Sequence, residues 1–285
     1  MRRVDISHIT EYLFTTPVTL QPHQLLLRPR SSHNLRITSS TLDIQPAHTL
    51  RWRRDALDNS LAEASFLAPS EYLRIESRVA VEVYKDAPLD FLIDDYAVMY
   101  PFEYALAEQP DLAAFRQCVY PRDRLEVGLW LDSLGCYQGA IETFALLDRM
   151  NCDIANRFTY QVREEAGVQS PARTLFTRSG SCRDFAALFM EACRHLGLAS
   201  RFVSGYLDTS ASASNASTHA WTEVYLPGPG WKGFDQTSGL LTGNGHIAAA
   251  VARHPEAVPP VAGTYLGPPG LSPEMRVSVS VTPRD

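Results

Sequence analysis

The chain has 285 residues, of which 45% are apolar and 20% charged, and its formal net charge is −6. This composition is typical of a globular protein and excludes a disulfide miniprotein, a disordered tail and a fibrous repeat. Because acidic residues outnumber basic ones, we expect no broad basic face for nucleic acid. The length favours about two domains.

The cysteines are few, odd in number and irregularly spaced, so they do not indicate a disulfide framework. They are Cys118, Cys136, Cys152, Cys182 and Cys193. Such a set fits a reducing compartment, and any one of them could be a working thiol. No signal peptide is visible, and no stretch approaches the ~20 apolar residues that span a bilayer. We therefore expect a cytoplasmic protein with no membrane partner.

Residues 1–85 carry short alternating runs such as HITEYLF and RVAVEVY, separated by prolines. Short strands at this spacing predict a small antiparallel β-sandwich as a first domain. Residues 86–285 predict a second, α+β domain. Its parts are a helical region over 103–158, a helix from residue 182 and an antiparallel sheet over 201–283. The small polar residues of DTSASASNASTH (208–219) predict a surface loop that could form a rim or lid.

The segment SGSCRDFAALFMEACRHL, residues 179–196, has apolar residues every three or four positions after its opening Ser-Gly-Ser. This pattern predicts a helix that begins near Cys182. A helix start favours an anion, and therefore the thiolate form that attacks carbonyl carbons. Asp184 in the same turn opposes a thiolate, so a cationic partner must stabilise it. Cys193 lies further along the apolar face and is interpreted as a core residue.

Two later segments supply that partner. THAWTEVYL (218–226) and WKGFD (231–235) read as the strands of a hairpin around Pro-Gly-Pro-Gly. His219 and Asp235 share a face only if the connecting loop has an odd number of residues or a strand contains a bulge. A regular hairpin with the two side chains on opposite faces would contradict their cooperation.

The order Cys182, His219, Asp235 is typical of nucleophilic acyl chemistry. The thiolate would attack an acyl carbon, the imidazole would move protons, and the carboxylate would orient the imidazole. The backbone N–H of Cys182 is a natural donor to the oxyanion because it lies at a helix start. The sequence does not identify a second donor.

At these residues the chain becomes similar to a known family. GSCRDFAALFMEACRHLGLASRFVSGYL and HAWTEVYLPGPGWKGFDQTSG resemble the core of the bacterial transglutaminase-like superfamily, often described as candidate cysteine proteases with a papain-like fold. HITEYLF, LLLRPR and VAVEVY resemble the β-rich domain that precedes such cores. The resemblance implies Cys182 as nucleophile, His219 as base and Asp235 as orienting acid. Gln236 stands where the family usually has Pro, and Ser181 where it has Val or Ile.

The leading hypothesis is a thiol hydrolase or acyltransferase that acts on peptide, protein or other amide substrates through a Cys182 thioester. Hydrolysis is favoured over transfer because nothing indicates a channel for an amine. No cofactor and no metal are expected, and no loop carries clustered calcium ligands. The alternative is a non-catalytic binding or assembly module that keeps the fold. Substrate identity and oligomeric state stay open.

The remaining candidates have simpler interpretations. His8, His23, His33 and His48 lack partners at metal-ligand spacing, so they are read as surface or core residues, and His195 as a structural residue at a helix end. His246 and His254 lie in what reads as a loop-like tail, where a metal pair is disfavoured. Arg183 reads as a surface cation rather than a substrate ligand, and Tyr160 as a weak candidate for lining the cleft.

Overall fold

The structure is a computed structural model that describes residues 1–84, 88–163, 165–208 and 218–284. The predicted domain boundary at residue 85 and most of the predicted 208–219 loop lie outside these residues. Among the described helices, none is both long and apolar enough to cross a membrane.

The first region is built from β-strands, in agreement with the predicted β-sandwich. Its strands are β1 Arg2–Leu20, β2 His23–Leu25, β3 Leu35–Gln45, β4 His48–Arg54, β5 Ser60–Phe66 and β6 Ser70–Val83. Strands β1, β3 and β6 form one antiparallel sheet, and β2, β4 and β5 form a second. Apolar side chains from both sheets, including Phe14, Leu25 and Ile75, form a common core between them.

The middle region contains the helices and several two-residue strands. These elements are β7 Met99–Tyr100, α1 Gln109–Arg116, α2 Arg124–Ser133, β8 Ile141–Glu142, α3 Thr143–Arg157, β9 Thr159–Tyr160, α4 Pro171–Thr177, β10 Ser179–Gly180 and α5 Cys182–His195. The helix predicted to begin near Cys182 begins at that residue. Helix α4 lies outside the predicted helical regions. Ser170 caps its N-terminus, because the Ser170 side chain accepts the N–H of Arg173.

The core sheet follows α5 along the chain. Its strands are β11 Ser200–Leu207, β12 Thr218–Leu226, β13 Gly230–Asp235, β14 Leu240–Leu241 and β15 His246–Ala252. They are antiparallel and lie in the order β14-β13-β12-β11-β15. Helix α5 packs its buried Leu188 and Phe189 against Val224 and Phe234 of this sheet. The N-terminus of α5 is thereby fixed relative to β12 and β13.

The last strands depart from the prediction. Strands β16 Val261–Ala262, β17 Tyr265–Leu266 and β18 Glu274–Arg284 pair with β2 and β1, so the core sheet ends at Ala252 and does not extend to residue 283. The physical reason for the pairing of β18 with β1 is that β6 occupies only one side of β1 and leaves its other side free. Strand β18 covers that free side, which would otherwise leave backbone N–H and C=O groups unpaired.

One buried side chain of the β-sandwich binds the backbone of the outer strand of the core sheet. Asn59 is fully buried, donates to the carbonyl of Val251 at 2.8 Å and accepts its N–H at 2.9 Å. Since β15 has a sheet neighbour only on its β11 side among the described residues, Asn59 acts in place of a further strand.

Replacement of Asn59 by Ala is expected to lower the free energy of unfolding by about 2–4 kcal/mol, because two buried backbone groups of Val251 lose their partner. Urea denaturation measures this change. The matched control is Asn34→Ala, at an exposed asparagine, with an expected change within about 0.5 kcal/mol. Equal stability of the two variants would contradict the proposed strand-like role of Asn59.

Candidate active site

Cys182 is the first residue of α5 and is half-buried. Its helix start is fixed by the neighbouring Ser181 and Asp184, because the backbone N–H and the hydroxyl of Ser181 both donate to the Asp184 carboxylate at 2.8 Å. This arrangement leaves the thiol at the positive end of the helix dipole, as the sequence predicted.

The negative charge of Asp184 is matched by Arg163. The guanidinium donates to both carboxylate oxygens, at 2.8 and 3.1 Å, and the N–H of Gln169 adds a third contact at 2.8 Å. Burial alone would raise the pKa of Asp184, but these hydrogen bonds hold it below its ordinary value. The sequence predicts that Asp184 opposes a thiolate at Cys182, but the charge of Asp184 is neutralised by Arg163.

The hairpin that carries His219 and Asp235 has an odd loop, which is one of the two conditions stated for a shared face. Leu226 pairs with Gly230, which leaves three residues, 227–229, between the strands. In this register Asp235 stands opposite Trp221, one diagonal step from His219. The two side chains therefore share a face, as their cooperation requires.

The imidazole of His219 lies between the thiol and the carboxylate. His219 Nε2 is 3.0 Å from Asp235 Oδ1, although the ring N–H points off the line to that oxygen. The side chain of Cys182 also lies beside the imidazole. Burial opposes a charged ring, but Asp235 and Cys182 together raise the pKa of His219 to about 10. The three residues singled out in the sequence thus form one chain of contacts.

Asp235 is almost completely buried and has further donors. The backbone N–H of Thr237 donates to Oδ1 at 2.9 Å, and His246 Nε2 lies 3.1 Å from Oδ2. Burial would raise the pKa of this carboxyl group, but the adjacent imidazoles of His219 and His246 hold it far below its ordinary value. The carboxylate therefore stays ionised.

His246 is the functional candidate that the sequence did not reveal. The sequence predicts a loop-like tail at this position, but His246 is the first residue of β15. Ser204 pairs with Ala250 and the next residue, Gly205, pairs with Ala248, so Ala249 is the extra residue of a β-bulge. Since Gly205 also pairs with His219, the bulge turns His246 to the face of His219. A bulge leaves no clear mark in residue order, so this proximity could not be predicted.

The lack of a side chain at Gly205 is needed on that face. A Cβ atom there would lie 2.7 Å from the ring of Trp221 and 2.3 Å from the carbonyl of Ile247. The Trp221 ring in turn packs edge-on against His246, with the ring centroids 5.3 Å apart. Trp221 therefore supports the second histidine.

Tyr160 lies closer to the thiol than expected. Residues 159–160 pair in parallel with residues 179–180, which brings Tyr160 beside the start of α5. Its hydroxyl lies beside the side chain of Cys182. Burial, and then the charge of Cys182, raise the pKa of Tyr160 to about 12, so the hydroxyl remains a proton donor at neutral pH.

A cleft of about 470 Å³ opens at Cys182 and His219. Phe202 and Val258 provide an apolar side, and Arg183 and Glu256 provide charged groups. Arg183 is not the free surface cation expected from the sequence, because its guanidinium donates to the carbonyls of residues 163 and 165.

The other sequence candidates lie elsewhere or act structurally. Gln236 is buried and donates to Asn151 at 3.2 Å, which ties the turn after Asp235 to α3 where the family usually has proline. His254 accepts the N–H of Glu256 and caps a short turn. His8, in the β-sandwich, is buried beside Thr10.

His219, Asp235 and His246 bring ligand atoms within 4.8 Å of one another, which is close enough for a metal ion. The donor set does not fit one well. A metal-bound histidine normally donates its second ring N–H to an acceptor. The Nδ1 of His246 instead faces a donor, the N–H of Gly243, at 3.2 Å. This contact favours a hydrogen-bonding role for His246 over a role as a metal ligand.

Comparison with known proteins agrees with this architecture. Residues 4–82 match the bacterial transglutaminase-like N-terminal region, and residues 137–236 match the transglutaminase-like superfamily. The chain thus combines a bacterial transglutaminase-like N-terminal region with a region of the transglutaminase-like superfamily.

Its relatives include an uncharacterised protein of Mycobacterium bovis, 28% identical over 92% of this chain and 87% of that protein. The peptide-N(4)-(N-acetyl-β-glucosaminyl)asparagine amidase of Rattus norvegicus is 36% identical over 76 residues, 27% of this chain and 9% of the amidase. Among solved structures, a “putative cysteine protease” from Cytophaga hutchinsonii has the same fold. Its TM-score is 0.74 at 18% identity, over 100% of this chain and 91% of that one.

Replacement of Asp184 by Ala is expected to lower the free energy of unfolding by about 3–5 kcal/mol, because it leaves the largely buried Arg163 and two backbone N–H groups without their acceptor. Chemical denaturation measures the loss. Glu165→Ala is the matched control, since Glu165 pairs with the same arginine but its side chain is 74% exposed. We expect almost no change in the free energy of unfolding of Glu165→Ala. A comparable loss in both variants would show that burial of the Asp184–Arg163 pair does not contribute to stability.

Proposed function

We propose that the chain is a thiol-dependent hydrolase of peptide or other amide bonds. Cys182 is the nucleophile, His219 the acid and base, and Asp235 the group that orients the imidazole. The observation that carries this proposal is the continuous contact from the Cys182 thiol through His219 to the buried carboxylate of Asp235. That arrangement is what an activated cysteine nucleophile requires.

The reaction would proceed in two halves. The thiolate forms a bond to the carbonyl carbon, the C–N bond breaks, and the imidazolium of His219 gives its proton to the departing amine. Water then attacks the thioester while His219 takes one of its protons. The C–S bond breaks, the carboxylic acid leaves, and the proton returns to the pair of Cys182 and His219.

Two donors suit the oxyanion formed in each half. One is the backbone N–H of Cys182 at the start of α5. The other is the Tyr160 hydroxyl, which already contacts the Cys182 side chain. Tyr160 is therefore our candidate for the second donor that the sequence left open.

Hydrolysis is favoured over acyl transfer because the site admits water. Cys182 is only half-buried, and Tyr160 is 46% exposed. Transfer to an amine requires water to be excluded. The amidase relationship of the core supports an amide substrate, and the apolar side of the cleft suits an apolar side chain of a peptide. A cytoplasmic location, with neither nucleic acid nor membrane as partner, is part of the same proposal.

Alkylation by iodoacetamide tests the thiol without a known substrate. The pKa of His219, raised above its ordinary 6.5 to about 10, means that the imidazolium beside Cys182 persists through neutral pH and is lost only as the pH rises towards 10. Burial raises the pKa of each of the other four thiols. At pH 6 we therefore expect Cys182 to react at least about tenfold faster than any other cysteine, by peptide mass spectrometry.

The Cys182→Ala variant should lose the fast-labelling site, any amide hydrolysis and any adduct with electrophilic peptides, while the other four thiols react as before. Trapping of Cys182 by such peptides would also identify the preferred acyl group. If Cys182 reacts no faster than the other cysteines at pH 6, the proposal fails, and a non-catalytic binding module becomes the better reading.

Replacement of Tyr160 by Phe is expected to lower the rate of Cys182 acylation by an activated peptide ester about tenfold or more, because one oxyanion donor is lost. Alkylation by iodoacetamide should change little, since that reaction forms no oxyanion. Tyr137→Phe is the control, because Tyr137 is similarly exposed at 48%. Equal losses in acylation and alkylation would indicate that Tyr160 acts on the thiol and not on the oxyanion.

A further inference from the structure

Asp235 is held between two histidines, and only one of them belongs to the proposed triad. His219 approaches Oδ1 and His246 approaches Oδ2, at 3.0 and 3.1 Å. The His246 side chain is 12% exposed and the Asp235 side chain 2% exposed. A buried carboxylate oxygen needs a donor, and His246 is the donor that the structure gives to Oδ2.

The protonation of His246 follows from its other contact. The N–H of Gly243 points at Nδ1 from 3.2 Å, and an N–H can only donate. Nδ1 therefore accepts and carries no proton. In the neutral ring the proton must then be on Nε2, from which it is donated to Asp235.

We propose that His246 is a positioning residue that fixes the Asp235 carboxylate against His219 by donating its Nε2–H to Oδ2. This inference rests on the proposed function. With Oδ2 held by His246, and Oδ1 also accepting the N–H of Thr237, the carboxylate cannot rotate about its Cβ–Cγ bond. Oδ1 then stays directed to the imidazole that contacts Cys182.

Among the described residues, both charged and neutral groups lie around this set. On the neighbouring strand, Asp208 follows the residue paired with His246 and forms a salt bridge with Arg2 at 2.7 Å. Helix α3 contributes neutral groups to the turn after Asp235, the Asn151 amide and the Cys152 thiol. On the other side of His219 lie Cys182 and, next to the thiol, Tyr160 and Arg183.

The test compares His246→Leu, which removes the donor, with His246→Gln, whose amide N–H replaces Nε2–H. The readout is the ratio of Cys182 alkylation rates at pH 6 and pH 10, which reports the thiolate–imidazolium pair without any substrate. We expect this ratio to fall about tenfold in His246→Leu, because a mobile carboxylate stabilises the imidazolium less, and to return within about threefold of the starting value in His246→Gln. His195→Leu, at the far end of α5, should leave it unchanged.

An unchanged ratio in a folded His246→Leu variant would overturn the inference, and so would a glutamine variant that behaves like leucine. If the unaltered protein lacks a fast-reacting Cys182 at pH 6, the proposed function fails instead, so the two failures are distinguishable.

A second measurement needs no variant. Imidazole ¹⁵N NMR of the unaltered protein should show that the proton of the His246 ring is on Nε2, and a proton on Nδ1 would contradict the proposal. Titration with Zn²⁺ tests the remaining possibility, that His246 and its neighbours bind a metal ion. Tight binding that blocks alkylation and requires His246 would replace the positioning role with a metal site.

Discussion

The structure around the candidate site depends on keeping the carboxylate of Asp235 ionised inside the protein. A buried charge is stable only if each of its oxygens is hydrogen-bonded or paired. Here Oδ1 faces His219 and accepts the Thr237 N–H, while Oδ2 faces His246. These donors come from different parts of the core sheet, so the carboxylate can be satisfied only when β12, β13 and β15 are all in register. The same condition sets the geometry of His219, and through it the environment of the Cys182 thiol.

A second buried carboxylate plays the corresponding part on the helix side. Asp184 gathers Arg163, the N–H of Gln169 and the start of α5 into one cluster, and its charge is matched by the guanidinium. Without Arg163, the carboxylate two residues after Cys182 would oppose a thiolate. With it, the helix dipole and the imidazole of His219 remain the electrostatic influences on the thiol. The two clusters therefore have different roles. The Asp184 cluster fixes where α5 begins, and the Asp235 cluster positions His219, the proton donor opposite the helix start.

Much of this could be predicted from residue order because it is local. The helix start at Cys182 follows from apolar spacing after a Ser-Gly-Ser breaker. The parity of the hairpin loop gives the condition under which His219 and Asp235 share a face, and the register of the strands meets it. The contacts of Tyr160 and His246 depend on non-local pairing. Tyr160 reaches the thiol through a parallel pair of two-residue strands, which periodicity cannot detect. His246 reaches Asp235 only because the bulge at Ala249 shifts the face of β15. The pairing of β18 with β1 also joins distant parts of the chain. It could not be predicted, because the alternating pattern of β18 fits either sheet.

These non-local pairings give the N-terminal β-domain a physical connection to the site. Strand β15 carries His246 at its first residue, and both ends of that segment are held by the β-sandwich. Arg2 donates to the carbonyl of Asn244, just before the strand, and Asn59 binds the backbone of Val251 near its end. A sheet edge held in this way is less free to slip by one residue, and such a slip would turn His246 to the opposite face. The register that brings the second histidine to Asp235 is thus stabilised from outside the core, by residues far away in the chain.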